Sequence, residues 1–542
     1  MTEQEFVDFV AAERAQAPAG GDAGATLAVP VGVRLLADQL TPVLAYRRLV
    51  SADERTAPSF LLESVEGGER QGRHSILGAQ PIVEVVAFGH AVTITDQRVS
   101  GARRTERKAD PMHELRGLSA EIRVVVPPGA VEAKRLPACA HGGWFGYASY
   151  DTVRYAEPTK LDPKHAPPDD RRLPDLHFGL YDGVVAFDHV DKVVHVVKLA
   201  MVGPDDDPAK AYRDAIAGLE ARVEQVQTHS KPLAAGRVPL DAAAPELPSN
   251  TTRAEHRAMV QRAKEYIRAG DIFQVVVGHR FERQSSADPF DVYRSLRAVN
   301  PSPYMVYLQG AGTILVASSP EILCRVRDEG GKRIVTNRPL AGTRKRGATP
   351  EQDAALEREL LADAKERAEH VMLVDLGRND VGRVAIPGTV ELSDVMTIER
   401  YSHVMHISST VTGELRKGLD AWDALRAALP VGTISGAPKI RAMQIIDELE
   451  KVRRGPYGGG MGWVGLDGQM DIALALRTMV VPTDLHRPET PASAWTYHVQ
   501  AAGGIVADSD PEAEYMETVN KAAALARAIE VAERAFSDLG GP

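Results

Sequence analysis

The sequence predicts a mixed α+β protein, and three patterns carry that reading. From about residue 28 to 200 the chain runs in short alternating segments, VEVVAFGHAVTITD and then DLHFGLYDGVVAFDHVDKVVHVVKLA, whose Asp-Gly and Asp-Lys pairs read as hairpin turns of an antiparallel sheet. The second half mixes strands with long helices that carry their own start signals. No period of 20–50 residues recurs, which excludes a solenoid.

Taken in order, residues 1–25 end in AQAPAGGDAGAT, a Gly/Ala-rich stretch expected to be a loose lead-in. Residues 26–230 form an N-terminal domain whose last element, over 207–229, has helical periodicity. Residues 231–250, KPLAAGRVPLDAAAPELPSN, are rich in Pro and Ala and make the linker to a second domain over 251–530. There Thr349, Pro350 and Gln352 combine an N-cap, a first-turn proline and a capping box, predicting one helix that runs to about Leu373. MGWVGLDGQMDIALALRTMVV predicts a hairpin turning at Asp467-Gly468, with Asp471, Ala473, Ala475 and Arg477 on one face of its second strand. Asp510 and Pro511 open a last helix.

Composition narrows the function. At 542 residues the chain has material for more than one domain. Its net charge of -10 comes from mixed charges with no long basic run, which argues against nucleic acid. Two cysteines, Cys139 and Cys324, rule out a disulfide framework and a Cys-rich zinc site and fit a reducing cytosol. The opening MTEQEFVDFVAAERAQ is acidic and lacks a long apolar core, so no signal peptide is expected. The apolar stretch IALALRTMVV is interrupted by Arg477, so no membrane span is expected and the protein reads as cytoplasmic.

The chemistry concentrates in two Glu-x-x-Glu steps, Glu366/Glu369 and Glu514/Glu517, each on a predicted helix. Positions i and i+3 share a helix face, so each step aims two carboxylates one way. A single such step ordinarily marks a solvated face; two of them suit a divalent ion such as Mg2+, which accepts hard oxygen ligands and keeps waters. NRPLAGTRKRG places Gly342 and Thr343 in a tight, basic-flanked loop able to hold a carboxylate or a leaving hydroxyl. LPVGTISGAPK puts Gly432-Thr433 and Ser435-Gly436 before a helix, where free N–H groups favour anions. YGGGMGWVG has a formal Gly-x-Gly-x-x-Gly but opens no helix, so a dinucleotide site is rejected; its glycines are expected to let backbone approach a ligand beside Tyr457. His403 and His406 read as core or surface histidines that a carboxylate cluster would turn into acid/base candidates.

DAKERAEHVMLVDLGRNDVGR, PLAGT, RYSHVMHISS, PVGTISGAPK, GPYGGGMG, DIALALRT and AAGGIVADSDPEAEYMETVNKA occur here in one order. That series resembles the chorismate-utilising enzymes, and most of all the large, aminating subunits of anthranilate synthase. PSFLLESVEGGERQGRHSILG and GGWFGYASYD extend the resemblance into the first half. It implies two intertwined domains with antiparallel sheets packed as a sandwich and helices outside. It implies conversion of chorismate and ammonia to anthranilate and pyruvate. The positions matching the family's Mg2+ ligands are Glu369 and Glu517, with Glu366 and Glu514 as partners that hold metal waters; Glu366 is also the expected acid for the departing C4 hydroxyl. Tyr457, Arg477, the Ala502-Gly503-Gly504 backbone and Lys521 match the enolpyruvyl carboxylate site. Gly342, Thr343 and Thr433 match contacts to the ring and its carboxylate, and His406 matches the histidine of the pyruvate-elimination step.

Two positions set this chain apart from similar enzymes. Aminodeoxychorismate synthases, the alternative reading, carry a lysine where PLAGT has Ala341. Isochorismate and salicylate synthases carry one at Gln274, and glutamine has no basic nitrogen to activate water. The resemblance also implies a feedback site for L-tryptophan, with Glu63 and Ser64 from LLES and Asn300, Pro303, Tyr304 and Met305 from NPSPYM. At Ala317 the family commonly has glycine, and the extra methyl is expected to crowd that pocket. Neither cysteine sits in a glutaminase setting, so ammonia is expected from a separate glutamine amidotransferase subunit, component II, in a heterotetramer.

Overall fold

The computed structural model describes residues 1–16, 24–51, 54–64, 72–99, 101–228, 233–239, 241–401, 404–487 and 494–537. His403 therefore lies outside the described residues. Two sheets, each of 12 described strands, form the framework, and both halves of the chain contribute to each; the short strands Gly436–Ala437 and Ile122–Val124 lie at the two ends of the first, and Glu391–Arg400 pairs with Val404–Glu414 in the second. The first sheet runs from Gln274–Ser285 through Trp495–Ile505, Thr478–Pro482, Thr313–Ser319 and Tyr304–Gly310. It continues through Ser59–Glu63, His74–Ala79, Gly183–Asp188, Val193–Val202 and Thr26–Leu36. In the second, Leu340–Lys345, Val404–Glu414, Lys332–Asn337, Ile322–Glu329, Met470–Leu474 and Gly460–Val464 join Gly143–Ala148, Leu176–Tyr181, Val83–Phe88, Ala91–Asp96 and Ala102–Arg107. The two halves pair antiparallel at Glu63↔Met305 in one sheet and at Ala148↔Gly460 in the other.

Apolar side chains from facing strands fill the space between the sheets. Phe60 of the first sheet stacks on Phe145 of the second with ring centroids 3.8 Å apart. Val306, Leu315, Ala317 and Val480 meet Tyr147 and Met461 in the same layer. Strands buried on both faces read as continuous apolar runs, and helices cover the outer faces. Glu3–Ala15, Pro208–Gln227, Pro289–Val299 and Pro511–Ser537 pack on the first sheet, while Ala364–Gly382 and Ala421–Ala428 pack on the second.

Several expectations change. The lead-in over 1–25 is ordered in its first half: Thr2 and Glu5 close a capping box on the helix Glu3–Ala15, and Phe6 and Val10 are fully buried. Asp182-Gly183 makes no hairpin, because Leu176–Tyr181 and Gly183–Asp188 belong to different sheets; a Cβ on Gly183 would come within 2.2 Å of Val197 O. The turns at Lys192 and Gly468 are hairpins as expected, and a further hairpin turns at Gly89. The helix expected from 349 to 373 is two helices, Pro350–Ala362 and Ala364–Gly382, broken at Asp363. Asp363 leaves the helical region (ψ 111) and its side chain accepts from the N–H groups of Lys365 and Glu366, capping the second helix.

The chain also changes sheet at two neighbouring points. Pro320-Glu321 joins Thr313–Ser319 to Ile322–Glu329, and residues 475–477 join Met470–Leu474 to Thr478–Pro482. These crossings are bonded together: Leu474 N–H donates to Glu321 O at 3.0 Å, Ser318 N–H to Arg477 O at 3.1 Å, and Ser319 Oγ to Leu474 O at 2.6 Å. Arg477 accordingly is not in the strand expected for it, and its φ of 45° is the left-handed value of a tight crossing.

Candidate active site

Each Glu-x-x-Glu step sits in the first or second turn of its helix, where the dipole's positive end favours carboxylates. The break at Asp363 is what puts Glu366 there. The two helices meet the same piece of backbone. A Cβ on Gly503 would lie 3.0 Å from Glu514 Oε2, and one on Gly504 would lie 2.8 Å from Gln274 Nε2 and 3.5 Å from Glu369 Oε1. Gln274 Nε2 donates to Glu369 Oε1 at 3.1 Å. Burial raises the Glu369 carboxyl above its ordinary pKa, and the charges of Glu366 and Glu517 push it further. Burial also raises Glu514, opposed by a bond to Ser509 and reinforced by Glu517. Glu514 Oε2 and Gln274 Oε1 are buried without a hydrogen-bond partner.

The four glutamates are not equivalent. Glu514 is buried, whereas Glu517 is half exposed and pairs with Lys521 Nζ at 2.6 Å. Lys521 also donates to Ala502 O at 2.8 Å, so it stands at the 502–504 backbone as expected. Glu366 meets Arg344 Nη1 at 3.3 Å, and Arg344 also holds Glu359 and Asp363. No group of three or more His, Cys, Asp or Glu among the described residues is arranged to hold a metal by protein ligands alone. Mg2+ is ordinarily bound by one or two carboxylates with waters and substrate oxygens completing its shell. A Glu369 that feels the like charges of Glu366 and Glu517, with an unpartnered Glu514 oxygen on the second helix, fits that arrangement.

Against Glu366, Gly342 and Thr343 are not in a loop but in the strand Leu340–Lys345, at a bulge opposite Ile407 and His406. The bulge needs glycine: φ is +69°, and a Cβ would lie 3.2 Å from Glu366 Oε2. His406 Nδ1 is 2.9 Å from Gly342 O and 3.2 Å from Thr343 Oγ1. A carbonyl only accepts, so Nδ1 carries the proton and Nε2 keeps its lone pair. Nε2 is buried and unpartnered. Burial, with Arg477 and Lys521 adding repulsion, pulls the imidazole pKa down to about 4. Tyr457 is buried, and burial raises its phenol pKa.

Thr433 leads to a residue that sequence reasoning missed. Its Oγ1 donates to Glu321 Oε1 at 3.0 Å. Glu321 is buried at the sheet crossing, and burial, with the Glu399 charge added, pushes its pKa up to about 8 against the Thr433 bond. The available signal was a carboxylate set between the apolar runs TILVASSP and ILC, with no exposed face to occupy. The glycines of YGGGMG are not a ligand approach: a Cβ on Gly459 would lie 2.2 Å from Ala148 O, and one on Gly462 2.2 Å from Asp471 O. They allow close strand packing.

The expected tryptophan residues from both halves do meet. Glu63, Ser64, Pro303, Tyr304 and Met305 line a cavity of about 360 Å³ between the sheets. Glu63 accepts from Tyr293 Oη at 2.6 Å and pairs with Arg297 at 2.6 Å, and Ser64 Oγ is buried without a partner. Asn300 is not in the cavity wall; its amide donates to Ser318 Oγ at 3.0 Å instead. Nor is Ala317, whose methyl packs into the apolar layer between the sheets, so it does not crowd the cavity.

Residues 58–527 match the family of chorismate binding enzymes. Anthranilate synthase alpha subunit 1, chloroplastic, of Oryza sativa subsp. japonica is 52% identical over 540 residues, covering 97% of this chain and 92% of its own. Anthranilate synthase component 1 of Pseudomonas aeruginosa is 44% identical, covering 93% and 96%. The crystal structure of anthranilate synthase component I from Streptococcus pneumoniae TIGR4 superposes with a TM-score of 0.68 at 32% identity, over 91% of this chain and 99% of that one.

Proposed function

The chain belongs to the chorismate-binding enzymes, among the large subunits of anthranilate synthase, and we propose that it makes anthranilate and pyruvate from chorismate and ammonia with Mg2+. It is an enzyme of the anthranilate synthase class. The observation that carries the mechanism is the meeting of the two helices at one stretch of backbone: Glu514 stands against Gly503, and Glu369, held by the Gln274 amide, stands against Gly504 and feels the charge of Glu517.

Glu369 and Glu517 would hold the Mg2+, with Glu366 and Glu514 orienting its waters. When bound, the metal would fix the ring carboxylate of chorismate and draw electrons from the ring. Arg477 offers a two-pronged donor and Lys521 a point charge to the enolpyruvyl carboxylate, beside Tyr457 and the 502–504 backbone. Glu321, neutral below about pH 8, gives its proton to the departing C4 hydroxyl, in place of the salt-bridged Glu366. Thr433 orients that carboxyl. Ala341 leaves C2 open to ammonia. His406 then takes the C2 proton on Nε2 as pyruvate leaves, its ring fixed by the Gly342 carbonyl.

Ammonia comes from a glutamine amidotransferase subunit, component II, in a heterotetramer, and L-tryptophan inhibits from the inter-sheet cavity. The reaction belongs to tryptophan biosynthesis, and we place it in the cytoplasm; among the described residues no helix is long and apolar enough to cross a membrane. The test is to mix the purified chain with chorismate, Mg2+ and an ammonium salt at mildly alkaline pH, with and without tryptophan. Anthranilate fluorescence is expected; its absence would overturn the reading, and aminodeoxychorismate accumulating instead would assign the alternative.

A further inference from the structure

The inter-sheet cavity and the active site share a wall. Glu321 and Tyr401 both line the cavity. Glu321 faces the other way through its bond with Thr433, and the Tyr401 ring lies 5.6 Å from the His406 ring. The Tyr401 hydroxyl is 2.6 Å from Glu399 Oε2 and 3.3 Å from the carbonyl of Pro320, the residue before Glu321. A phenol has one proton, so these acceptors compete for it. Glu399 is held in turn by Arg338 Nη2 at 2.6 Å, and Arg338 Nε donates to Ser408 Oγ at 2.9 Å, two residues along the strand from His406.

We propose that Tyr401 is a positioning residue that passes occupancy of the cavity to His406 and Glu321. The proposal rests on the feedback reading of the cavity. A zwitterionic amino acid brings both charges into a space where the Glu63, Asp471 and Glu399 carboxylates are already paired with arginines, so it settles by exchanging partners with one of those pairs. Glu63 is anchored away from the active site by Tyr293 and Arg297. The Arg338–Glu399 pair is the one joined by hydrogen bonds to the strand of His406 and, through the Tyr401 hydroxyl, to the chain just before Glu321. Drawing Glu399 toward a ligand frees the Tyr401 hydroxyl and lets its ring shift against His406. Coupling of this kind requires the ligand to favour one arrangement over the other.

The experiment compares the parent with Tyr401→Phe, which keeps the ring and removes the hydroxyl, and with Glu399→Gln. Tryptophan binding is measured by equilibrium dialysis, and inhibition is measured against each protein's own uninhibited rate. Tyr401→Phe is expected to bind tryptophan as the parent does while saturating tryptophan suppresses its rate several-fold less, out of a coupling of roughly 5–150-fold. Glu399→Gln should show the same loss and carries the test if Tyr401→Phe does not fold. Variants that bind tryptophan and are inhibited as fully as the parent would overturn the relay alone. A parent chain that does not bind tryptophan would overturn the feedback reading and the relay with it.

Discussion

In the inter-sheet cavity Asp471 is held by Arg325 at 3.0 Å and Arg327 at 2.8 Å, and Glu63 by Tyr293 and Arg297 at 2.6 Å each. In the active site, Glu369 has an uncharged amide for a partner and two like charges for neighbours, and Glu514 has a buried oxygen with none. Both regions bury carboxylates, and the difference lies in who neutralises them. A buried pair is satisfied within the protein and tolerates a ligand only by exchange. A carboxylate whose pKa is raised by burial and like charge waits for a cation from outside. On the proposed function, the cavity takes a molecule that carries both charges, and the glutamate site takes a metal with an anionic substrate.

The largest effect should come from the acid. Glu321→Gln is expected to lower kcat by about 10²–10⁴-fold with little change in KM. Parent activity should fall as pH rises through about 8, where Glu321 loses its proton, and that alkaline limb should vanish in the variant. Stability follows with the same sign: between 4.5 and about 8 the folded chain holds a proton that the unfolded chain has released, so this contribution is lost as pH rises across the window. His406 has the opposite sense, its working neutral form disappearing as pH falls toward about 4. A pH–rate profile of Glu321→Gln that keeps the parent's alkaline limb would remove Glu321 from the acid role.

Next comes the contrast itself. Glu369→Gln is expected to weaken Mg2+ binding by about 10–100-fold, read by calorimetry without turnover. Asp471→Asn, on the paired side, should leave Mg2+ affinity unchanged. Equal effects from the two would erase the distinction drawn between the regions. The smallest effect concerns Ala317→Gly, expected to cost about 0.5–1 kcal/mol, seen as a lower Tm, through backbone freedom. Tryptophan binding should not change; a gain in affinity would show that the methyl reaches the cavity after all.

Much of the candidate site was legible because its residues break local rules. Two Glu-x-x-Glu steps on helices, a glycine in a basic-flanked stretch and an arginine inside an apolar run each stand out against their neighbours, although the glycine was read in a loop and lies at a strand bulge. Glu321 was not legible in that way, since one acidic residue after Ser-Ser-Pro reads as an ordinary turn. Its burial depends on two strands from different sheets closing over it. The Asp182-Gly183 crossing was misread for the same reason: a hairpin and a change of sheet look alike over two residues, and the pairing partners that decide between them lie far away in sequence.

Local sequence determined most strands and helices, where Thr349 and Asp510 start helices, and which carboxylates share a face. Those properties rest on backbone dihedrals and short-range hydrogen bonds, whose causes lie within a few residues. Only the tertiary structure decided that burial pushes the Glu321 pKa up to about 8, that His406 offers Nε2, and that Tyr401 and Glu321 line the cavity while reaching His406 and Thr433. Those properties depend on burial and on charges brought together across hundreds of residues, and neither has a local signature. The crossings at Pro320-Glu321 and Arg477 show why: polar side chains are held in the interior there because the chain is passing from one sheet to the other.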